Sequence, residues 1–254
     1  MSASYANLLG TRIDAVSWEQ ASARILAWAQ AGGSAASRMV CACNVHMLVT
    51  ARRDPELASA LSNADLCTPD GAPLAWLMRQ QGWPEQQRIS GPDLMWHVLG
   101  EAARLQVPVF LLGGTHDMLE KLRKVLKRAF PRLPLAGQCS PPFRALTDAD
   151  NHQIERLIET SGARIVLVGL GCPKQEKWMA YQRGRLPAVM MGVGAAFDYH
   201  AGMLRRAPPR WQQAGLEWLY RLAMEPRRLG RRYLLTNTLF LLWLPGQLWK
   251  RTRQ

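Results

Sequence analysis

The sequence predicts an α/β fold: a Rossmann-like, largely parallel sheet flanked by helices, with a basic, amphipathic helical C-terminal appendage. Three observations carry this expectation. Uninterrupted apolar runs of strand length occur at Val109 to Leu112, Ile165 to Val168 and Val189 to Met191, and each runs straight into glycines (Gly113-Gly114, Gly169-Leu170-Gly171, Gly192-Val193-Gly194). Such runs read as strands buried on both faces, and the glycines let the chain turn tightly while leaving room for a ligand at the strand's carboxyl end. Capped helical stretches separate the runs, as a parallel sheet requires. Charge is also uneven: residues 1–202 hold 21 basic and 17 acidic residues, net +4, whereas residues 203–254 hold 11 and 2, net +9. We therefore expect an α/β domain over 1–202, with a crevice along its carboxyl edge, and a basic segment over 203–254.

The elements follow in order. Residues 7–13 suggest one short strand, and Ser17 caps a helix from Trp18 to Ala31 that Gly32-Gly33-Ser34 ends. Arg38 to Cys43 is a strand leading to Asn44, His46 and a helical stretch from Met47 to Ala51. Asp54-Pro55-Glu56 starts another helix, with aspartate as cap and proline in the first position. Ala64 to Thr68 is a brief strand that delivers Pro69-Asp70-Gly71, and a helix from Leu74 to Gln80 follows. Arg88 to Met95 is a loop entering a helix that ends near Leu105, with Asp93 as its support or cap; Asp65 sits at an edge or turn. A strand at 107–112, a helix from Thr115 or His116 to Arg128, a short strand and turn within 131–142, and a helix from Asp148 to Ser161 capped by Thr147 come next. Strand 164–168 leads through Gly171-Cys172-Pro173 into a helix, strand 187–193 follows, and Phe197 to Gly202 is expected as a loop.

Composition bounds the function. The 254 residues, 48% hydrophobic, can bury one substantial core. A net charge of +13 implies an anionic partner: nucleic acid, acidic lipid or a phosphorylated substrate. Five irregularly spaced cysteines fit buried thiols in a reducing compartment, and Cys41 and Cys43 are too close for a zinc knuckle. Met1 to Gly10 lacks the basic start and apolar core of a signal peptide. No stretch reaches the ~20 apolar residues of a spanning helix, Thr238 to Leu244 being far too short.

The basic stripe Lys121, Arg123, Lys124, Lys127 and Arg128 reads as a solvated helix face rather than a nucleic-acid contact. Asp148-Ala149-Asp150 has the spacing of a metal-binding aspartate pair, yet it lies in the first turn of a predicted helix, where acidic residues suit the free N–H groups. In the tail, Pro208-Pro209 marks a boundary and Trp211 to Met224 can form one helix with Leu216, Leu219, Tyr220 and Ala223 on one side. Pro226 starts a second helix carrying Arg227, Arg228, Arg231 and Arg232 ahead of Leu234-Leu235 and Leu239 to Leu244; Lys250, Arg251 and Arg253 close the chain. Apolar residues, tryptophans and arginines together describe a segment lying on an anionic membrane surface, against the alternative of a helix docked on the body.

Glycine loops that feed helices make anion sites. Amides at Gly113, Gly171, Gly192 and Gly194, with Lys174 or Arg88, suit the phosphates of a nucleotide diphosphate. The third glycine of the dinucleotide fingerprint and the lysine-bearing phosphate loop are both missing. Asp70, on a stiff Pro-Asp-Gly turn at a strand end, can serve as a general base if its pKa is raised, or simply accept N–H bonds within its own turn. Asn44 and Gln175 carry paired donors and acceptors suited to sugar or uracil, or to satisfying a loop. His46 and His200 lack any accompanying nucleophile pattern, which leaves hydrolase chemistry unsupported.

Four segments occur in fixed order: Asp70-Gly71 after a strand; Arg88-Ile89-Ser90-Gly91-Pro92-Asp93-Leu94; Gly171-Cys172-Pro173-Lys174-Gln175-Glu176; and Gly192-Val193-Gly194-Ala195-Ala196-Phe197-Asp198. Together they resemble the WecG/TagA/CpsF glycosyltransferase family, over about residues 8–245. The resemblance implies an inverting, metal-independent transferase without cofactor. It would move a sugar from a UDP-sugar donor to a polyprenyl-diphosphate-linked saccharide acceptor, peripherally on the cytoplasmic face of the bacterial inner membrane. It makes Asp70 the catalytic base, Gln175 an active-site glutamine and Asn44 the asparagine of a Thr-x-Asn element whose threonine is here Ala42. It also assigns the basic appendage to cover the site, with Arg210, Arg221, Arg228 and Arg231, besides Arg227 and Arg232, as candidates for the diphosphate or acceptor. The rival readings are a nucleotide-cofactor oxidoreductase, which needs a complete fingerprint, and a nucleic-acid-binding protein, against which the apolar run at 239–244 argues. A homo-oligomer stays open.

Overall fold

A computed structural model describes residues 4–32 and 37–249, the side chain of Trp249 excepted. Gly33 and Ser34, expected to end the first helix, and Lys250, Arg251 and Arg253 at the end of the tail lie outside the described residues. The strands of the main sheet are β3 (Arg38–Cys43), β4 (Leu66–Pro69), β5 (Val109–Gly113), β6 (Leu135–Cys139), β7 (Ile165–Gly169) and β8 (Val189–Gly192). They lie in the order β4-β3-β8-β7-β5-β6 with every pairing parallel. The expected Rossmann-like α/β fold is the fold observed.

Two apolar layers cover the sheet. On one face, Cys41, Cys43, Val166, Val168 and Met190 pack against α2 (Val45–Ala51), α3 (Pro55–Ser62), α4 (Ala72–Gln80), α7 (Asp148–Ser161) and α8 (Lys174–Gln182). On the other, Val40, Leu66, Leu111, Leu167 and Met191 pack against α1 (Trp18–Ala31), α5 (Gly91–Leu105), α6 (His116–Ala129) and α9 (Ala196–His200). The helix after β7 thus leaves on one face and the helix after the neighbouring β5 on the other. The same reversal separates β8 from β3. Such switch points open a crevice beyond the carboxyl ends of the strands.

Helix starts follow the sequence cues. Ser17 and Thr147 form capping boxes, and Asp54, Ser90 and Thr115 each accept N–H bonds from their first turns. Gly113 is required sterically: its φ is +118°, and a Cβ there would lie 2.6 Å from the Gly169 backbone on the adjacent strand.

Three expectations need correction. Residues 7–13 are not one strand. They belong to an antiparallel hairpin, β1 (Tyr5–Leu8) and β2 (Thr11–Asp14), turned at Leu9 and Gly10, both at positive φ. The hairpin guards the sheet edge: buried Asp14 pairs with Arg12 and accepts the Cys67 N–H of β4. Phe197 to Gly202 is not all loop, since α9 covers Ala196–His200 with Phe197 packed under it. Trp211 to Met224 is not one helix either. Gly215, at φ +72°, separates α10 (Pro209–Gln213) from α11 (Glu217–Met224).

The tail ends in one long helix, α12 (Pro226–Trp249). Its inner face carries buried Leu229 and Phe240, with Leu239, Trp243, Leu244 and Leu248 packed on the core. Gln247 bonds Asn7 O and Leu9 N of the hairpin, and Arg52 of the body stacks on the Trp243 ring at 4.3 Å. Its outer face carries Arg227, Arg228 and Arg231 and then Leu234, Leu235, Leu241 and Leu242, exposed and on one stripe at 100° per residue. None of the described helices is long and apolar enough to cross a membrane.

Candidate active site

The crevice is a cavity of about 1380 Å³. Its floor is the carboxyl edge of β3, β4, β7 and β8, and part of its roof is α11 and α12. Of the residues singled out from sequence, it brings together Asn44, Asp70, Arg88, Gly171, Lys174, Gln175, Gly192, Gly194, Arg221 and Arg228, together with Arg232. Gly113, Arg210 and Arg231 are not among its lining residues. Gly113 is consumed by the strand contact with Gly169, and the two arginines are exposed on the outer side of the tail.

Asp70 follows β4 directly. Its N–H bonds Cys43 O at 2.8 Å, which fixes the turn to the end of β3. Its side chain keeps 19% exposure, and the cavity is where that exposure lies. Burial disfavours the carboxylate and raises its pKa above the ordinary 3.8, against the pull of Arg88. The turn-only reading is therefore unnecessary: the carboxyl accepts no hydrogen bond from a side chain, its nearest guanidinium nitrogen being Arg88 Nη2 at 3.6 Å.

Arg88 reaches in from the loop before α5. Its Nε donates to Asp70 O at 2.5 Å, and its Nη2 donates to Glu217 Oε2 at 2.7 Å. Burial works against its charge, but Asp70 and Glu217 outweigh that and keep it protonated. Beside it, Arg206 forks onto Asp93 and touches Ser90 Oγ at 3.2 Å. Ser90, not Asp93, is the cap of α5. Against the burial that opposes ionisation, Arg206 and Ser90 hold the Asp93 carboxyl below its usual value. Neither Arg206 nor Glu217 stood out in the sequence, because their partners are more than a hundred residues away.

Gln175 is buried, and both ends of its amide are engaged: Oε1 accepts Gly194 N–H at 3.2 Å and Nε2 donates to Glu176 Oε1 at 2.6 Å. It clamps the loop after β8 to the start of α8. Gly192 permits that approach, since a Cβ there would meet Met179 at 2.8 Å and Gln175 at 3.0 Å. Burial raises the pKa of Glu176, consistent with an unpartnered, buried Oε2. Asn44 caps α2 through Oδ1, leaving its NH₂ group on the cavity side of the turn. A cis peptide bond joins Cys172 to Pro173 just before α8, whose first residue is Lys174.

The tail arginines differ in how free they are. Arg228 is chelated by Glu225 at 2.5–2.6 Å. Arg221 lies over the Tyr199 ring at 5.5 Å and Arg232 over Tyr233 at 5.4 Å, and the Nε of each is buried with no hydrogen-bond partner. His46 lines the cavity with its pKa lowered to about 4 by burial and then by Arg232, so it is neutral at physiological pH. His200 stacks on Trp96 at 4.4 Å and meets Pro92 O, which makes it a satisfied core residue. Asp150 is taken up by Thr147 and Arg144 in the α7 cap. Among the described residues no cluster of three His, Cys, Asp or Glu side chains is arranged to hold a metal ion.

A catalytic carboxyl, a buried arginine and glycine-turned strand ends thus share one crevice, and the whole of it lies within the match to the Glycosyl transferase WecG/TagA/CpsF family over residues 6–254. The chain belongs to that family. It is a glycosyltransferase of surface polysaccharide synthesis, and its family implies a nucleotide-sugar donor and a saccharide acceptor.

A raised carboxyl pKa makes a statement about stability. The folded state binds the Asp70 proton more tightly than the unfolded chain does, so stability falls as pH rises from 3.8 through the folded-state value and stays reduced above it. Asp70→Asn removes that cost. It is expected to raise Tm at neutral pH by roughly 2–4 °C, the effect of about 1 kcal/mol in a chain of this size. The gap should close in melts below pH 4, where both side chains are neutral; a gap of the opposite sign at neutral pH would reverse the assignment.

Proposed function

We propose that the chain is an inverting glycosyltransferase that moves a sugar from a UDP-sugar to a polyprenyl-diphosphate-linked saccharide. The observation that carries this reading is Asp70: a carboxyl with raised proton affinity at the mouth of a cavity whose cations come from both body and tail. The cavity exceeds the roughly 300–1,000 Å³ of a pocket for one small ligand, which suits a site that must hold donor and acceptor together.

In the transfer, Asp70 takes the proton of the acceptor hydroxyl as its oxygen attacks the anomeric carbon on the face opposite UDP. The bond from that carbon to the β-phosphate oxygen breaks, UDP leaves with the electron pair, and the anomeric configuration inverts. Charge developing on the β-phosphate is met by Arg88, Lys174 and the free Arg221 and Arg232, with amides of the Gly171 and Gly194 turns. No divalent metal is required in this scheme. Gln175 acts by holding the Gly194 turn in place, and Asn44 presents its NH₂ group to the donor. Roofing by α11 and α12 keeps water from the activated sugar.

The division of labour falls near residue 203: residues 1–202 carry the donor crevice, and residues 203–254 bring the enzyme to the cytoplasmic membrane face. The α12 stripe supports the second half of this reading. Arginines in its first turns suit lipid phosphate and the four exposed leucines suit the acyl boundary, while Trp218 and Leu219 of α11 lie exposed beside it. The docked and membrane-bound alternatives are compatible, because they use opposite faces of one helix.

Two outcomes test this. Asp70→Asn should bind UDP-sugar within about threefold of the parent and lose turnover by about 10²–10⁴-fold, and the parent should keep its activity in EDTA. UDP release over several UDP-sugars with a lipid-diphosphate-sugar acceptor measures both; near-normal turnover in the variant removes Asp70 from the base role. For the membrane, replacing Leu234, Leu235, Leu241 and Leu242 together by serine spares the packed face. Each buried leucine contributes about 1.5 kcal/mol or more, so flotation with anionic liposomes should fall by well over tenfold. Undiminished flotation defeats the assignment of this surface.

A further inference from the structure

Glu217 is the only acidic side chain of α11, and the transfer as written makes no use of it. Its carboxylate is 8% exposed and points from the appendage into the body. Oε2 accepts Arg88 Nη2 at 2.7 Å, and Oε1 lies 3.6 Å from Arg206 Nε. The same Arg88 Nη2 lies 3.6 Å from Asp70 Oδ1. One nitrogen therefore stands between two carboxylates and is hydrogen-bonded to the one supplied by the tail.

The surroundings leave this arrangement few substitutes. The charged groups facing Asp70 are Arg88 from the loop before α5, Arg206 from the segment before α10, and Glu217 and Arg221 from α11; the Gly91 N–H also faces it. Glu217 itself faces Arg88, Arg206 and the unpartnered phenol of Tyr199 on α9. Arg206 is committed to Asp93 and Ser90, so it cannot replace Arg88 without breaking the α5 cap.

We propose that Glu217 is a positioning residue for the transfer: by holding Arg88 on α11, it keeps the guanidinium from closing on Asp70. This rests on the reading of Asp70 as base. A cation that closes on a carboxylate stabilises its charged form and weakens it as a base. Glu217 and Asp70 also repel each other, which raises proton affinity at Asp70 in the same direction. The consequence is a base coupled to closure of the site. With α11 docked, Arg88 is shared and Asp70 abstracts protons well. With α11 lifted, Arg88 is free to pair with Asp70, and the open site is held in its weaker state.

The test uses the full chain carrying Glu217→Gln or Glu217→Asp. The Asp70 carboxyl is titrated by ¹³C NMR in the absence of ligand, and the pH dependence of kcat/KM is read as UDP release from UDP-glucose or UDP-N-acetylmannosamine. In E217Q the Asp70 midpoint should fall by about half to one pH unit, since a neutral amide leaves Arg88 to Asp70. E217D keeps the charge but draws it back by one methylene, so it should move the midpoint the same way by less than half as much. The acid limb of kcat/KM should move with the midpoint. If Glu217 only anchors the tail, Tm and KM change while the midpoint stays; that result, or a midpoint that rises, overturns the proposal. Should E217Q fail to fold, the direction of the E217D shift decides alone. A midpoint that falls under a fixed acid limb sinks instead the assignment of Asp70 as base, as would a turning-over Asp70→Asn.

Discussion

One buried guanidinium sets the terms for this site. Arg88 has a quarter of its side chain exposed, and a charge so placed is stable only if it is paired. It spends Nε on the main chain of Asp70, which locks the end of β4, and Nη2 on a tail carboxylate, which brings α11 down on the crevice. Removing either partner would strand a charge rather than merely lose a contact. The position of the roof and the chemistry of the floor are thus joined through one side chain. That joint, more than the apolar packing of α12, makes residues 203–249 part of the site rather than an attachment beside it.

How much of this was legible follows from the range of the interactions involved. The sheet was, because the apolar runs at β5, β7 and β8 and their glycines are local signals with local causes. So were the caps at Ser17, Asp54, Thr115 and Thr147, where residue type alone dictates the bond. The hairpin at Tyr5–Asp14 escaped because its turn puts Leu9 at positive φ, a conformation leucine does not advertise. The break at Gly215 looked like one tolerated glycine inside an amphipathic period. At the site, Asp70 and Gln175 stand in short readable motifs. Glu217 and Arg206 do not, because what gives them meaning is a partner 113 or more residues away. Gly113 belonged to a readable pattern, yet the close approach of Gly169 explains it better than a phosphate does.

The tail shows why composition misleads when it is read as a choice. Eleven basic residues over 203–254 suggest one anionic partner, but their surroundings divide them. Arg206 is structural, bound to Asp93. Arg228 is half-neutralised by Glu225. Arg221 and Arg232 retain unpartnered, buried Nε groups over tyrosine rings, a state that costs free energy unless an anion arrives to accept them. Arg227 and Arg231 face away from the cavity, toward whatever α12 meets. A single helical period separates the two populations, so one helix can roof a site and address a surface at once.

Ala42 sharpens the account of Asp70. It lies at the end of β3 beside the crevice, where a Cβ added to Gly91 would come within 3.2 Å of its methyl group and 4.0 Å of Asp70 Oδ2. A hydroxyl in that neighbourhood would be a donor to the ionised carboxyl, and donors to the charged form lower a carboxyl pKa. A methyl group supplies none and adds to the desolvation that already dominates at Asp70. The loss of a polar contact on the donor side is therefore a gain in basicity on the acceptor side. It also leaves Arg88 as the chief favourable influence on the ionised form, which is why the atom that holds Arg88 away, Glu217 Oε2, carries so much of the argument.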